Sequence, residues 1–295
     1  MTASDDAERS DEEERRNVID EQRALVAQAC RVAAARGLVD GILGHLSLRV
    51  DDNRLLLRCR SDTDAGVAFT RPSDIRLIGF DGSAGAPGEL DGYRVPNELP
   101  IHVETRLANS QHRAVAHLHP PAIVAADLAG ITIRPIYGAY DIPGAWLARR
   151  SVPVYERAVL IRNTKLGKEM VAAMRDAPVV ICRGHGITSA AATVEQSVLQ
   201  AISLDALARM SLQIRAAGGK LRDIDDADWE ELPDLGLGFT TDAAWRHEVA
   251  RLGIQPGDDA ERSARLGGAG QLIQPGDDAE RSARSGGAGQ LIQPS

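Results

Sequence analysis

Apolar positions along the chain follow two rhythms. Val18, Ile19, Leu25, Val26, Ala29, Cys30 and Ala33 recur at helical spacing, and Gly37 follows where a helix C-cap is expected. An opening helix is therefore predicted to lay one face on a sheet. Leu46, Leu48 and Val50 then alternate with Ser47 and Arg49, Asp51-Asp52-Asn53 turns the chain, and Leu55 to Leu57 follow. Further short runs at Val67 to Phe69 and at Ile75 to Phe80, the second ended by Asp81-Gly82, extend this set of strands. Strands so close in sequence imply antiparallel pairing.

Past Glu98 the rhythm becomes helical through Leu107. Ala114 to His119 reads as a strand, and a helix opens at Pro120-Pro121 and ends by Gly130. Pro178 to Cys182 is a short buried strand. Thr193-Val-Glu-Gln196 has capping-box spacing ahead of a long Leu/Ala-rich helix that stops at Gly218-Gly219. Interleaved helices and strands predict an α/β domain with an antiparallel first half.

The ends read differently. Residues 1–16 carry Ser, Asp, Glu and Arg with hardly any large apolar side chain, the pattern of a solvated, disordered acidic terminus, so the fold is expected to begin near Asn17. Ile254 to Leu272 recurs as Ile273 to Leu291, with Leu266 replaced by Ser285, and another copy begins at Ile292. Two copies fall short of the roughly three that a solenoid needs. Each is rich in Gly, Asp and Ser, so 254–295 reads as a disordered tail, leaving one domain over 17–253.

Of the 295 residues, 43% are hydrophobic, enough for a sizeable core, and the net charge of −8 argues against nucleic acid as the main partner. No apolar run reaches the roughly 18 residues of a membrane span, and the acidic start is unlike a secretory leader. No membrane partner and a cytoplasmic location are expected. Cys30, Cys59 and Cys182 are odd in number and far apart, which suggests reduced thiols.

His117 and His119 alternate on a predicted strand, so both point to one face, with α-carbons about 7 Å apart, and can converge on one ion. Such a pair needs a third ligand. His185 follows a buried strand and is bracketed by Gly184 and Gly186, which lets the backbone turn tightly and carry an imidazole to the strand edge. Three histidines with an open position make a catalytic metal site; three unrelated packed histidines would show the same spacing. Glu98, just ahead of a helix, either complements the helix dipole or, folded against the histidines, transfers protons or becomes an auxiliary ligand.

The blocks Val95-Pro-Asn-Glu98-Leu-Pro-Ile-His102, Ala114-Val-Ala-His117-Leu-His119-Pro and Val180-Ile-Cys-Arg-Gly-His185-Gly resemble the signatures of the class II aldolase/adducin family. Gly44-His-Leu-Ser47-Leu-Arg49 and Thr70-Arg-Pro-Ser73-Asp-Ile75 extend the likeness. The resemblance implies an αβα layered fold around a largely antiparallel central sheet, assembled as a homotetramer with active sites between subunits. It implies one divalent metal ion per subunit (Fe2+, Zn2+ or Mn2+) on His117, His119 and His185, with Glu98 as catalytic acid/base.

Departures from the family pattern bear on substrate. The family's sugar-phosphate enzymes carry Gly-Asn where this chain has Gly44-His45, and serines where it has Pro96-Asn97. Losing those donors removes much of a phosphate nest, so a non-phosphorylated carboxylate is expected. His45, Asn97, Arg71 and Ser73 are the candidate substrate contacts. Arg71 would grip a carboxylate in bidentate fashion, or else be a solvated surface side chain. Tyr137 and Tyr140 follow the H-x-H helix. Tyr137 is a candidate substrate contact and Tyr140 a candidate catalytic proton donor, unless they are simply packed. His102, His112 and His247 read as structural or exposed.

Three functional readings stay open. The first is a metal-dependent lyase that decarboxylates, or cleaves by retro-aldol chemistry, an oxo- or hydroxy-carboxylate, aromatic ones included. The second, from similarity to members in aminocoumarin antibiotic biosynthesis, is a non-haem iron(II) oxygenase that oxidatively decarboxylates a prenylated aromatic 2-oxo acid. The third is a non-catalytic adducin-like scaffold, which predicts loss of the metal histidines that this chain retains.

Overall fold

In the computed structural model, which describes residues 3–253, a central sheet is built from β1 (His45–Arg49), β2 (Arg54–Arg58), β4 (Ile75–Gly79), β6 (Ala114–Leu118), β7 (Val154–Tyr155), β8 (Val179–Cys182) and β9 (Gly186–Ala191). β3 (Arg60–Ser61) and β5 (Tyr93–Arg94) form a separate small pair. The helices are α1 (Ala3–Ala35), α2 (Leu99–Ala108), α3 (Pro121–Leu128), α4 (Ile142–Ala148), α5 (Thr164–Met174), α6 (Val194–Ala216), α7 (Asp226–Glu231) and α8 (Ala244–Arg251). The repeats at 254–295 lie outside the described residues.

The strand order is β4-β2-β1-β6-β9-β8-β7, antiparallel at each step except the parallel β7–β8 edge. Alternation along the strands sorts side chains to two faces. Leu46, Leu48, Leu56, Ala114, Ala116, Leu118, Val179, Ile181 and Ile187 pack with residues of α1, α3 and α6. Val115, Val180, Cys182 and Ala190 face the other way, against Ile101 of α2 and Leu166, Met170 and Met174 of α5. The result is the expected αβα layering, and it leaves His45, Ser47 and His117 on the α2/α5 face.

The opening helix reaches back to Ala3, through the acidic stretch expected to be disordered. Glu and Arg are strong helix formers, and Glu12 and Arg16 lie one turn apart with 4.0 Å between charges. Residues 12–18 are exposed, and packing against the core starts at Ile19. Gly37, with φ +69°, ends the helix as the sequence suggested.

Val67 to Phe69 is a 3-10 turn rather than a strand. Only Val67 of the three is buried, its N–H donates to Gly41 O at 2.9 Å, and Gly66 enters at φ +108°. An apolar triplet without alternation carries no strand signal beyond its composition. No helix among the described residues is long and apolar enough to cross a membrane.

Candidate metal centre

Strand register places the first side chains. His45 opens β1 and pairs with His117 of β6, and His117 pairs with Thr188 of β9, so the three form a row across neighbouring strands. His119, two residues past His117, emerges on the same side. Its Nε2 lies 3.2 Å from His117 Nε2.

His185 comes from the turn between β8 and β9, where its N–H donates to Cys182 O at 2.9 Å. A Cβ added to Gly186 would meet Leu118 O at 2.2 Å, and Gly184 sits at φ +63°. Any other residue at either position strains the turn. Asp127 of α3, 5% exposed, braces it from outside. Its carboxylate accepts from Gly184 N–H at 2.7 Å and from the Arg183 guanidinium, which also pairs with Glu156 at 2.7 Å.

Glu98 occupies the N-cap position of α2, but its side chain makes no capping bond. Instead Oε1 accepts from Ile161 N–H at 3.1 Å. Oε2 faces the imidazoles, 3.5 Å from His117 Nε2 and 3.8 Å from the Nε2 atoms of His185 and His45. Glu98, His117, His119 and His185 each offer a ligand atom, and these atoms lie within 4.8 Å of one another. Ligands about 2.0–2.2 Å from one tetrahedral cation stand about 3.3–3.6 Å apart, close to the His117–His119 and Glu98–His117 spacings.

Electrostatics agree with that use. Burial pulls His45 down to about 4 against the pull of Glu98, and pulls His119 down to about 3 with help from neighbouring imidazoles. Burial lowers His185 as well. Burial also pushes the Glu98 carboxyl upward, but the His117 and His45 imidazoles outweigh it and hold the group well below the usual carboxylate range. These shifts leave His45, His119 and His185 neutral and Glu98 ionised at neutral pH, the protonation a divalent cation asks of such ligands. The donor set fits such an ion. Thr188 Oγ1, 3.2 Å from His117 Nδ1, orients that ring from behind.

His102, read from sequence as structural or exposed, is buried, with Nε2 2.7 Å from His45 Nδ1 and Nδ1 2.7 Å from Ser47 Oγ. Its signal was positional: it follows Glu98 by one helical turn, and Ser47 follows His45 by one strand alternation. His112 is half-buried beside Asn109, and His247 is exposed.

The remaining candidates are exposed. Asn97 is exposed, next to buried Glu98. Arg71 and Ser73 are exposed on the loop after Thr70; Arg71 N–H donates to Asp74 Oδ2 at 2.7 Å and its guanidinium stands 3.5 Å from Asp74. Buried Arg58 anchors that loop, donating to Thr70 Oγ1 at 3.0 Å and to Asp64 at 2.7 Å. The structure does not bring the tyrosines into the cluster. Arg222 lies over the exposed Tyr137 ring at 4.1 Å, and exposed Tyr140 borders a cavity with Arg36, Asp205 and Arg209.

A sheet of this order gathers three histidines and a glutamate where one divalent ion could be held. The chain belongs to the class II aldolase and adducin N-terminal domain family, whose model matches residues 24–212. It is 72% identical over 234 residues to 3,4-dihydroxyphthalate decarboxylase of Rhodococcus jostii (strain RHA1), covering 79% of this chain and 96% of that protein. It is 59% identical over 232 residues to the Terrabacter sp. (strain DBF63) protein of the same name, covering 79% and 97%. L-fuculose 1-phosphate aldolase from Glaciozyma antarctica PI12 shares the fold, with a TM-score of 0.63 at 18% identity over 79% of this chain and 90% of that one.

Proposed function

We propose that this chain removes one carboxylate from a dihydroxylated aromatic dicarboxylate of the 3,4-dihydroxyphthalate type, at a divalent metal held by His117, His119 and His185. The observation that carries the reading is the convergence of Glu98 and three imidazoles within 4.8 Å. Its substrate class comes from the name of the relative 72% identical to this chain. The replacement of phosphate-cradling residues by His45, Pro96 and Asn97 points the same way.

The reaction breaks the aryl–carboxylate bond, leaves its electron pair on the ring, releases CO2 and puts a proton on the vacated carbon. A bound divalent ion would supply an electrophile for adjacent substrate oxygens. Glu98 handles the proton. Oε1 is tied to Ile161 N–H, so Oε2, facing the imidazoles, takes the proton of a ring hydroxyl as substrate binds and returns one to carbon after CO2 leaves. Because loss of CO2 from a carboxylate consumes one proton, the ring oxygen left deprotonated recovers its proton from solvent as product leaves.

Arg71, Ser73 and Asn97, all exposed, are proposed substrate contacts, Arg71 for a carboxylate. Roles for Tyr137 and Tyr140 would come from a neighbouring subunit of a homotetramer, the assembly that the family resemblance implies. No observation favours the oxygenase reading, which requires dioxygen.

The test is an anaerobic assay of the metal-loaded protein with 3,4-dihydroxyphthalate. We expect stoichiometric CO2 and a monocarboxylate product at a rate unaffected by oxygen; CO2 release that needs dioxygen contradicts the reading.

A further inference from the structure

Ser47, His102 and His45 form a hydrogen-bonded line that ends at the metal centre. Ser47 Oγ lies 2.7 Å from His102 Nδ1, and His102 Nε2 lies 2.7 Å from His45 Nδ1. Exposure is 4% at Ser47, 1% at His102 and 7% at His45, so water does not interrupt the line. It bridges β1 to α2, the helix that opens beside Glu98.

Each neutral imidazole carries a single N–H, so the line can run in only two directions. In one, the Ser47 hydroxyl donates to His102 Nδ1, His102 Nε2–H donates to His45 Nδ1, and His45 Nε2 carries a hydrogen. In the other every bond reverses and His45 Nε2 presents a bare lone pair. That nitrogen stands 3.8 Å from Glu98 Oε2. An ionised carboxylate only accepts hydrogen bonds, so it repels a lone pair and attracts an N–H. The first direction is the one the site selects.

We propose that Ser47 and His102 are positioning residues that hold His45 as its Nε2–H tautomer, so that one N–H donor faces the ligating cluster and receives an anionic oxygen of the substrate carboxylate. The proposal rests on the decarboxylase reading for its substrate, but the tautomer itself does not depend on it. A fixed imidazole N–H offers one directed donor, suited to a carboxylate oxygen rather than to a whole phosphate.

Three variants and one spectroscopic readout test this. His102→Leu deletes the donor to His45; His102→Gln keeps an N–H close to where imidazole Nε2 stood; Ser47→Ala deletes only the first hydroxyl and carries the test if His102→Leu does not fold. With metal content unchanged, we expect KM for 3,4-dihydroxyphthalate to rise on the order of 10- to 100-fold in His102→Leu and less in Ser47→Ala, with His102→Gln recovering most of the loss. In zinc-loaded protein with 15N-labelled histidine, the His45 signal, assigned by its disappearance in His45→Asn, should show a protonated Nε2 and a bare Nδ1. A protonated Nδ1 in the wild type overturns the proposal, as does a Gln variant as impaired as the Leu variant. A wild type inactive on 3,4-dihydroxyphthalate would sink the functional reading alone, because the nitrogen shifts still decide the tautomer.

Discussion

A buried imidazole stays neutral because water cannot solvate its charge, and for the centre this has a consequence in acid. His45 and His119 fall to about 4 and about 3 in the folded chain, against about 6.5 for an unfolded histidine. Their folded values are depressed, so between pH 6.5 and about 4 the unfolded chain takes up protons that the folded chain refuses. Stability of the metal-free protein is therefore full above pH 6.5 and declines as pH falls through that window. Glu98 acts in the same sense lower down, since its depressed carboxyl stabilises the fold above the ordinary carboxylate range and loses that contribution as it protonates. Urea unfolding of metal-free protein should show a midpoint that falls steadily from pH 7 to pH 5; a constant midpoint would contradict the burial argument. At this scale His117, His119, His185 and Glu98 were picked out as candidates by the family resemblance, since spacing alone left packed histidines open, and the structure brings their ligand atoms within 4.8 Å of one another. His102 was not, because its meaning lies in a contact with His45, 57 residues away.

Elements carry these residues to one point, and the turn between β8 and β9 carries the most. Gly184 and Gly186 permit its shape, while Asp127 fixes it by accepting from Gly184 N–H at 2.7 Å and from Arg183. Asp127→Asn keeps an acceptor for one of these donors and loses the charge for the other. The His185 imidazole should then wander, weakening metal affinity on the order of 10-fold or more while the helical circular dichroism stays native. Zinc titration by calorimetry checks this, and unchanged affinity would show that the turn holds itself. The strands around this turn were readable only in part. Pro178 to Cys182 announced β8 by its apolar run, whereas β9, Gly186–Ala191, hides behind small and hydroxylated side chains that suit a strand buried on both faces. Val67–Phe69 shows the converse error, an apolar triplet that a glycine at positive φ turns into a 3-10 turn.

For the whole molecule, the layered fold was legible because the motif blocks around Glu98, His117 and His185 come in an order that belongs to one scaffold, and the family match over 24–212 agrees. Substrate chemistry was less legible: Gly44-His45 and Pro96-Asn97 argued against phosphate, yet no residue pattern specified an aromatic ring. The account depends on one cation shared by three imidazoles that are distant in sequence. Metal content per chain, measured by mass spectrometry on protein purified without added metal, tests it most directly. Wild-type protein should carry close to one divalent ion per chain and His119→Ala almost none while remaining folded; equal metal in the two proteins, or none in either after loading with zinc, manganese and iron(II), would contradict it.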